Sequence, residues 1–228
     1  MKGIPTDIME ATILTLELAV VTTGMLVTIA LPLAWWLAFP QRWWKSMVNA
    51  IISLPLVLPP SVLGYYLLLA FGPTGPGGWI ARLWGARTLA FSFHGLVIGS
   101  LLYALPFAVQ PIQNAFHAMG RHPVESAAVL GASPWRIFYR IAIPMAWRGV
   151  VTAIVLSFAH TIGEFGIVLM IGGDIPGQTR VLSVALYDYV ESARWHDANM
   201  IAGGMVMFSF LTILLLSSLQ NRKRRHTS

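Results

Sequence analysis

Cysteine is absent from the 228 residues, and charged residues make up only 11% of them. Without cysteine there is no disulfide framework, no thiol nucleophile and no cysteine metal site. Soluble domains carry about 25% charged residues, so this chain lacks the polar atoms to cover a water-facing surface. The few charges are also segregated: 18–40, 46–81 and 198–221 contain no Lys, Arg, Asp or Glu. A phosphate-binding G-x-x-x-x-G-K-[ST] loop is missing too, since the glycine cluster at 72–78 has no lysine. The chain therefore has no ATP site of that kind, and no internal repeat is visible. Its first residues, with Lys2 followed by Asp7, Glu10 and Glu17, do not have the pattern of a cleaved signal peptide.

What is present is apolar. Hydrophobic residues reach 56%, and the mean hydropathy is +0.68. About 20 apolar residues cross the hydrocarbon core as a helix, so each charge-free stretch is long enough to do so. The expected fold is an all-α integral membrane protein with five spans, near 12–39, 47–71, 89–112, 145–171 and 198–219. Residues 1–221 are read as one membrane domain and 222–228 as a basic tail. The net charge of +6 is not a nucleic-acid signal, because Arg222, Lys223, Arg224 and Arg225 directly follow an apolar segment. A basic cluster there anchors a cytoplasmic helix end on anionic lipid headgroups.

With the C-terminus in the cytoplasm and the N-terminus outside, Arg42, Lys45, Arg121, Arg136, Arg140, Arg148, Arg222, Lys223, Arg224 and Arg225 lie inside. Lys2, Arg82, Arg87, Arg180 and Arg194 lie outside. That asymmetry is the one the positive-inside rule expects. It also places 114–144 in the cytoplasm, a long connection for which a function is expected. Pro123 and Glu125 suit the first turn of a helix, Gly131 its C-terminus, and Ser133-Pro134 the start of a second helix. From patterning alone, this segment is equally an interfacial hairpin lying on the membrane.

The segment resembles the cytoplasmic signature of ABC-importer permeases, which runs Glu-Ala-Ala, three residues, Gly, nine residues, then Ile-x-Leu-Pro. Glu125, Ala127, Gly131, Ile141 and Pro144 match it, while Ser126 replaces the middle Ala and Ile143 the Leu. The resemblance implies that Glu125, Ser126, Ala127, Gly131, Ala132, Ser133 and Pro134 form the element that docks on an ATPase subunit. It further implies two copies of that ATPase, which hold ATP and Mg while this chain binds no cofactor. Other implied partners are a second permease copy, identical to the first, and a periplasmic or extracellular oxyanion-binding protein. The mechanism would be alternating access across the inner membrane.

The fourth span carries His160, Gly163, Glu164, Phe165 and Gly166. A carboxylate within a span is a functional candidate by default, and His160 lies four residues earlier on the same helical face. Because a carboxylate repels an oxyanion, packing or gating is expected of Glu164 rather than substrate contact. Two ligands on one helix are too few for a metal site. With the following Gly173-Asp174-Ile175-Pro176-Gly177, these residues are similar to the molybdate-type permease pattern Gly-Glu-Phe-Gly, then Gly-Asn-Ile-Pro-Gly. Asp174 stands for the pattern's Asn, and Ser183 for a later Pro. Leu54-Pro55-Leu56-Val57-Leu58-Pro59-Pro60 matches the same subfamily. The resemblance implies import of molybdate or tungstate, with a sulfate or thiosulfate permease as the alternative. A secondary transporter is a further rival, although repeats and more intramembrane charge are expected of one. An intramembrane enzyme is disfavoured, because no nucleophile motif accompanies the Ser, His and Glu residues. Among weaker signals, Gly95 and Gly99 are spaced for a close helix contact. Pro32, Pro55, Pro59, Pro60 and Pro106 are candidates for hinging a gate, with kinked packing as the commoner explanation. Trp35, Trp36, Trp43 and Trp44 suit an interfacial aromatic belt.

Overall fold

The computed structural model describes residues 6–39 and 42–221. Lys2 and the basic tail therefore lie outside the described residues. The elements in chain order are α1 (Thr6–Ala38), α2 (Trp43–Ser53), α3 (Pro60–Phe71), α4 (Pro76–Ala81), α5 (Phe93–Met119) and α6 (His122–Val129). They continue with α7 (Pro134–Ile137), a π-helical turn Phe138–Ala142, α8 (Ile143–Met145), α9 (Trp147–Gly163), α10 (Gly166–Gly172), α11 (Leu182–Glu191) and α12 (Trp195–Asn221). Among the described residues every regular element is helical, as bilayer hydrocarbon requires of a spanning chain that does not close into a barrel.

Three single helices, α1, α5 and α12, are long and apolar enough to cross a membrane. Two bent pairs bring the number to as many as five if each pair counts as one span: Trp43–Leu56 with Pro60–Phe71, and Pro134–Met145 with Trp147–Gly163. The second span is thus interrupted where Pro59 and Pro60 remove backbone donors. The fourth span departs from the expected continuous helix over 145–171. Alpha9 has 17 residues, which rise only about 26 Å, and it stops at Gly163. The glycine cluster at 72–78 is helical in its last part, because Pro76 begins the short helix α4.

Two compact units can be distinguished. One comprises 1–22, 58–102 and 158–228. In it α3 packs on α10 through small residues. A Cβ added at Gly64 would stand 2.8 Å from Met170 Cβ, and one at Gly166 would stand 2.7 Å from Pro60 Cβ. Gly99 faces the Ile171 side chain with no room for a Cβ, which supports the expected close contact at that glycine. Gly95 instead lies against the Leu89 carbonyl. A separate cluster joins Ile8 and Ala11 of α1 to Ala185 and Tyr189 of α11 and to Ala198 and Ile201 of α12. Thr15 locks it, accepting 2.8 Å from the Leu182 amide, and the Tyr189 hydroxyl donates to Asp7.

The other unit comprises 23–57 and 103–157. Trp35 stacks edge-on against Phe116 at 5.1 Å and lies 5.8 Å from Phe138. Lys45 is buried at the start of α2, and its ammonium donates to the Trp36 and Phe39 carbonyls at the end of α1. It also lies 4.9 Å above the Trp36 ring. This lysine thus caps a helix C-terminus and satisfies carbonyls with no intrahelical partner. Gly149 brings α9 against α5: a Cβ there would lie 2.6 Å from the Pro111 carbonyl and collide with Ala115. The partner atom is backbone and cannot yield, so overpacking costs about 1–3 kcal/mol. Gly149→Val is expected to lower the melting midpoint in detergent by about 2–10 °C. A midpoint equal to that of the unaltered chain would show that the two helices are not in close contact.

Candidate functional site

The first candidate is the hairpin α6–α7. Pro123 and Glu125 occupy the first turn of α6, as expected. Its end is closed by two reversed bonds, from the Ala132 amide to Ala127 O and from the Gly131 amide to Ala128 O, both 3.0 Å. This is a Schellman closure, which places its C′ residue in the left-handed region, and Gly131 has φ +80°. Ser133 then caps α7, its hydroxyl accepting from the Arg136 amide at 3.4 Å, with Pro134 in the first turn. Glu125, Ser126, Gly131, Ser133 and Pro134 are all exposed, and Ala132 is half-buried. Ala127 is instead buried with Ile137 and Phe138 and serves the hairpin's inward face.

The outward face is apolar. Val129 and Leu130 are 88% and 87% exposed, and Trp135 is 69% exposed and stacked on Tyr139 at 5.7 Å. The π-helical turn after α7 and a 71° bend before α9 follow it. Turns of the π type concentrate at functional sites.

The second candidate is the break between α9 and α10. Glu164 and Phe165 are non-helical, so Glu164 is not within a helix as its position in the fourth span led us to expect. The four-residue spacing to His160 then no longer sets their geometry. Neither Glu164 carboxylate oxygen accepts a hydrogen bond of good geometry from His160 or any other described residue, though the Ser100 hydroxyl faces it. The side chain is nevertheless 4% exposed. His160 is half-buried on α9, Gly163 is exposed, and Gly166 abuts Pro60. The Phe165 ring lies 5.1 Å from Tyr187.

The two departures from the oxyanion-permease pattern each have a local partner. Ser183 Oγ donates to the Glu164 carbonyl at 2.5 Å, a bond that proline could not make. Asp174 forms a two-bond pair with Arg180, at 2.5 and 3.0 Å, and Arg180 also reaches Asp188 at 2.5 Å. Burial works against the Arg180 charge, but its bond to Asp174 and the two carboxylates raise its pKa. An asparagine at 174 would leave that cation with less compensation.

A third feature escaped the sequence reading. On α5, Gln110, Gln113, Asn114 and His117 recur at helical spacing within an apolar helix, and Asn49 and Ser53 do the same on α2. They line one recess of about 410 Å³. The signal was legible as a polar stripe with period 3.6, but such a stripe carries no family motif.

A family model described as "Binding-protein-dependent transport system inner membrane component" matches residues 30–224. The molybdenum transport system permease protein ModB of Azotobacter vinelandii is 51% identical over 205 residues, covering 90% of this chain and 91% of that protein. The protein of the same description from Haemophilus influenzae is 33% identical, covering 95% and 96%. A probable sulfate transport system permease protein cysT of Zygnema circumcarinatum is 31% identical, covering 96% and 74%. Among solved structures, a chain of a bacterial ABC transporter involved in the import of alginate superposes with a TM-score of 0.73 at 16% identity, covering 98% of this chain and 81% of that one.

Proposed function

Since the chain belongs to the family of binding-protein-dependent transport system inner membrane components, we propose that it is the permease of an ATP-driven importer of molybdate or tungstate. The observation that carries the substrate is the 51% identity, nearly end to end, with a molybdenum permease. The sulfate-type relative is less similar and extends well beyond the matched region, which makes sulfate the second reading.

The hairpin is the docking element for a separate ATPase chain, which holds ATP and Mg. Its exposed apolar turn supports this role, because such a surface gains by being covered. A lone interfacial hairpin offers no reason for the coupling signature. Two identical permeases about a two-fold axis, two ATPases and an outer oxyanion-binding protein complete the assembly. The hairpin is cytoplasmic, and the loops around 83 and 178 face outward. Alternating access uses the break at Gly163, Glu164, Phe165 and Gly166, with His160 beside it, as a gate. A helix interrupted by two non-helical residues between glycines concentrates motion there.

Uptake into proteoliposomes holding the permease, its ATPase and its binding protein tests the substrate. ATP-dependent accumulation of molybdate, competed by tungstate and not by sulfate, is expected. Sulfate accumulation without molybdate uptake would transfer the reading to sulfate. Orientation has its own test. Cysteines at Leu83 and Gln178, both exposed, should react with an impermeant thiol reagent in intact cells, whereas one at Leu130 should not. Gly77 is unsuitable for such a probe, because a Cβ there meets the Phe71 backbone at 2.7 Å. Labelling at Leu130 alone would invert the topology.

A further inference from the structure

The recess between α2 and α5 has no role in the proposal so far. It is lined by four amides, a hydroxyl and an imidazole: Asn49, Gln110, Gln113, Asn114, Ser53 and His117. A second recess, also about 410 Å³, shares Asn49, Gln113 and His117 and extends past Ser46 to Arg42 and Lys45. No Asp or Glu lines either of them. Neutral polar side chains within membrane helices normally bond across to a neighbouring helix. Among the described residues the one such bond in this recess is from Gln110 Nε2 to Ser53 Oγ, at 3.1 Å. Gln113 is only 7% exposed, yet it borders both recesses.

We propose that this recess is a transit site for a tetrahedral oxyanion, held by the side-chain N–H and O–H donors of α2 and α5. The inference rests on the oxyanion-importer reading and adds the place in this chain that the anion visits. On the same measure one water needs about 10–15 Å³, so a recess of about 410 Å³ has room for an oxyanion together with water. The site lies at the end of α5 from which the hairpin departs, so it serves release on that side. Its amide and hydroxyl donors carry no charge, and Lys45, which lines the second recess, has its ammonium on the Trp36 and Phe39 carbonyls. Conduction requires a site that binds well enough to admit an ion and weakly enough to let it go. Amides and a hydroxyl meet that requirement, whereas a cage of free cations would retain a dianion. Arg42 is exposed and lines the second recess, where it adds a field that draws the anion in.

Isosteric carboxylates test this without changing shape. Gln113→Glu and, at an exposed position, Asn114→Asp should each lower molybdate uptake by the complete importer on the order of tenfold or more. The variants should reach the membrane in normal amounts, and their ATPase should still respond to liganded binding protein. Unchanged uptake in both variants would overturn the site. Joint loss of uptake and ATPase stimulation would also overturn it, because that pattern belongs to a coupling or assembly defect. If the unaltered importer takes up no oxyanion, the importer reading fails, and this inference falls with it.

Discussion

Replacing Gly131 by valine is expected to uncouple ATP hydrolysis from transport while the permease still inserts and assembles. Gly131 has φ +80° with no atom within 4 Å of an added Cβ, so the penalty is purely conformational. A branched residue held in that region costs about 1–3 kcal/mol, which shifts the hairpin's population by roughly 5- to 150-fold. The Schellman bonds at Ala127 and Ala128 would open first, and they set the direction in which Leu130 and Val129 project. Anion uptake should fall on the order of tenfold or more, and the ATPase should lose its transport-linked stimulation. Asparagine tolerates left-handed backbone, so Gly131→Asn should retain most of both activities. Uptake and ATPase rate measured in one membrane preparation decide the matter. Normal coupled transport by Gly131→Val would remove the hairpin from the mechanism and return it to an interfacial role.

The Glu164→Gln variant is expected to assemble normally, resist unfolding better and transport more slowly. A carboxyl group buried without a well-formed hydrogen bond is costly, and in the described conformation only the Ser100 hydroxyl faces Glu164. A conformation in which the side chain meets water or a donor relieves that cost, and this difference biases the gate toward movement. Glutamine keeps the volume and carries no charge, so burying it costs less than burying an ionised carboxylate. The described state is thereby favoured on the order of tenfold, and uptake falls accordingly. Raised thermal stability together with reduced uptake is the signature of a gate. Unchanged uptake and unchanged ATPase rate would leave Glu164 with packing alone.

Local chemistry explains what could be read in advance. The hairpin is built from short-range rules: proline and an acid in a first turn, a glycine stop, a serine cap followed by proline. Each of these was visible within a dozen residues and recurs in the structure. The membrane class was equally accessible, because it follows from charge scarcity and apolar length alone. At 163–166 the expectation of a continuous helix had the wrong local geometry. A helical count across Gly163 assumes continuity, and the chain breaks there instead.

The sequence by itself thus determined a membrane-spanning helical chain with five apolar segments, a capped hairpin between two of them, and the family to which they belong. The tertiary structure decided what distant residues do for one another. It placed Ser183 under the Glu164 carbonyl and Arg180 between Asp174 and Asp188, so that two departures from the pattern each have a partner. It also brought Asn49 and Ser53 of α2 to the amide stripe of α5. Periodicity tells which residues share a helix face, but not which helix that face will meet. The meeting depends on close packing at small residues and on where proline interrupts a span, and both are settled only when the helices associate.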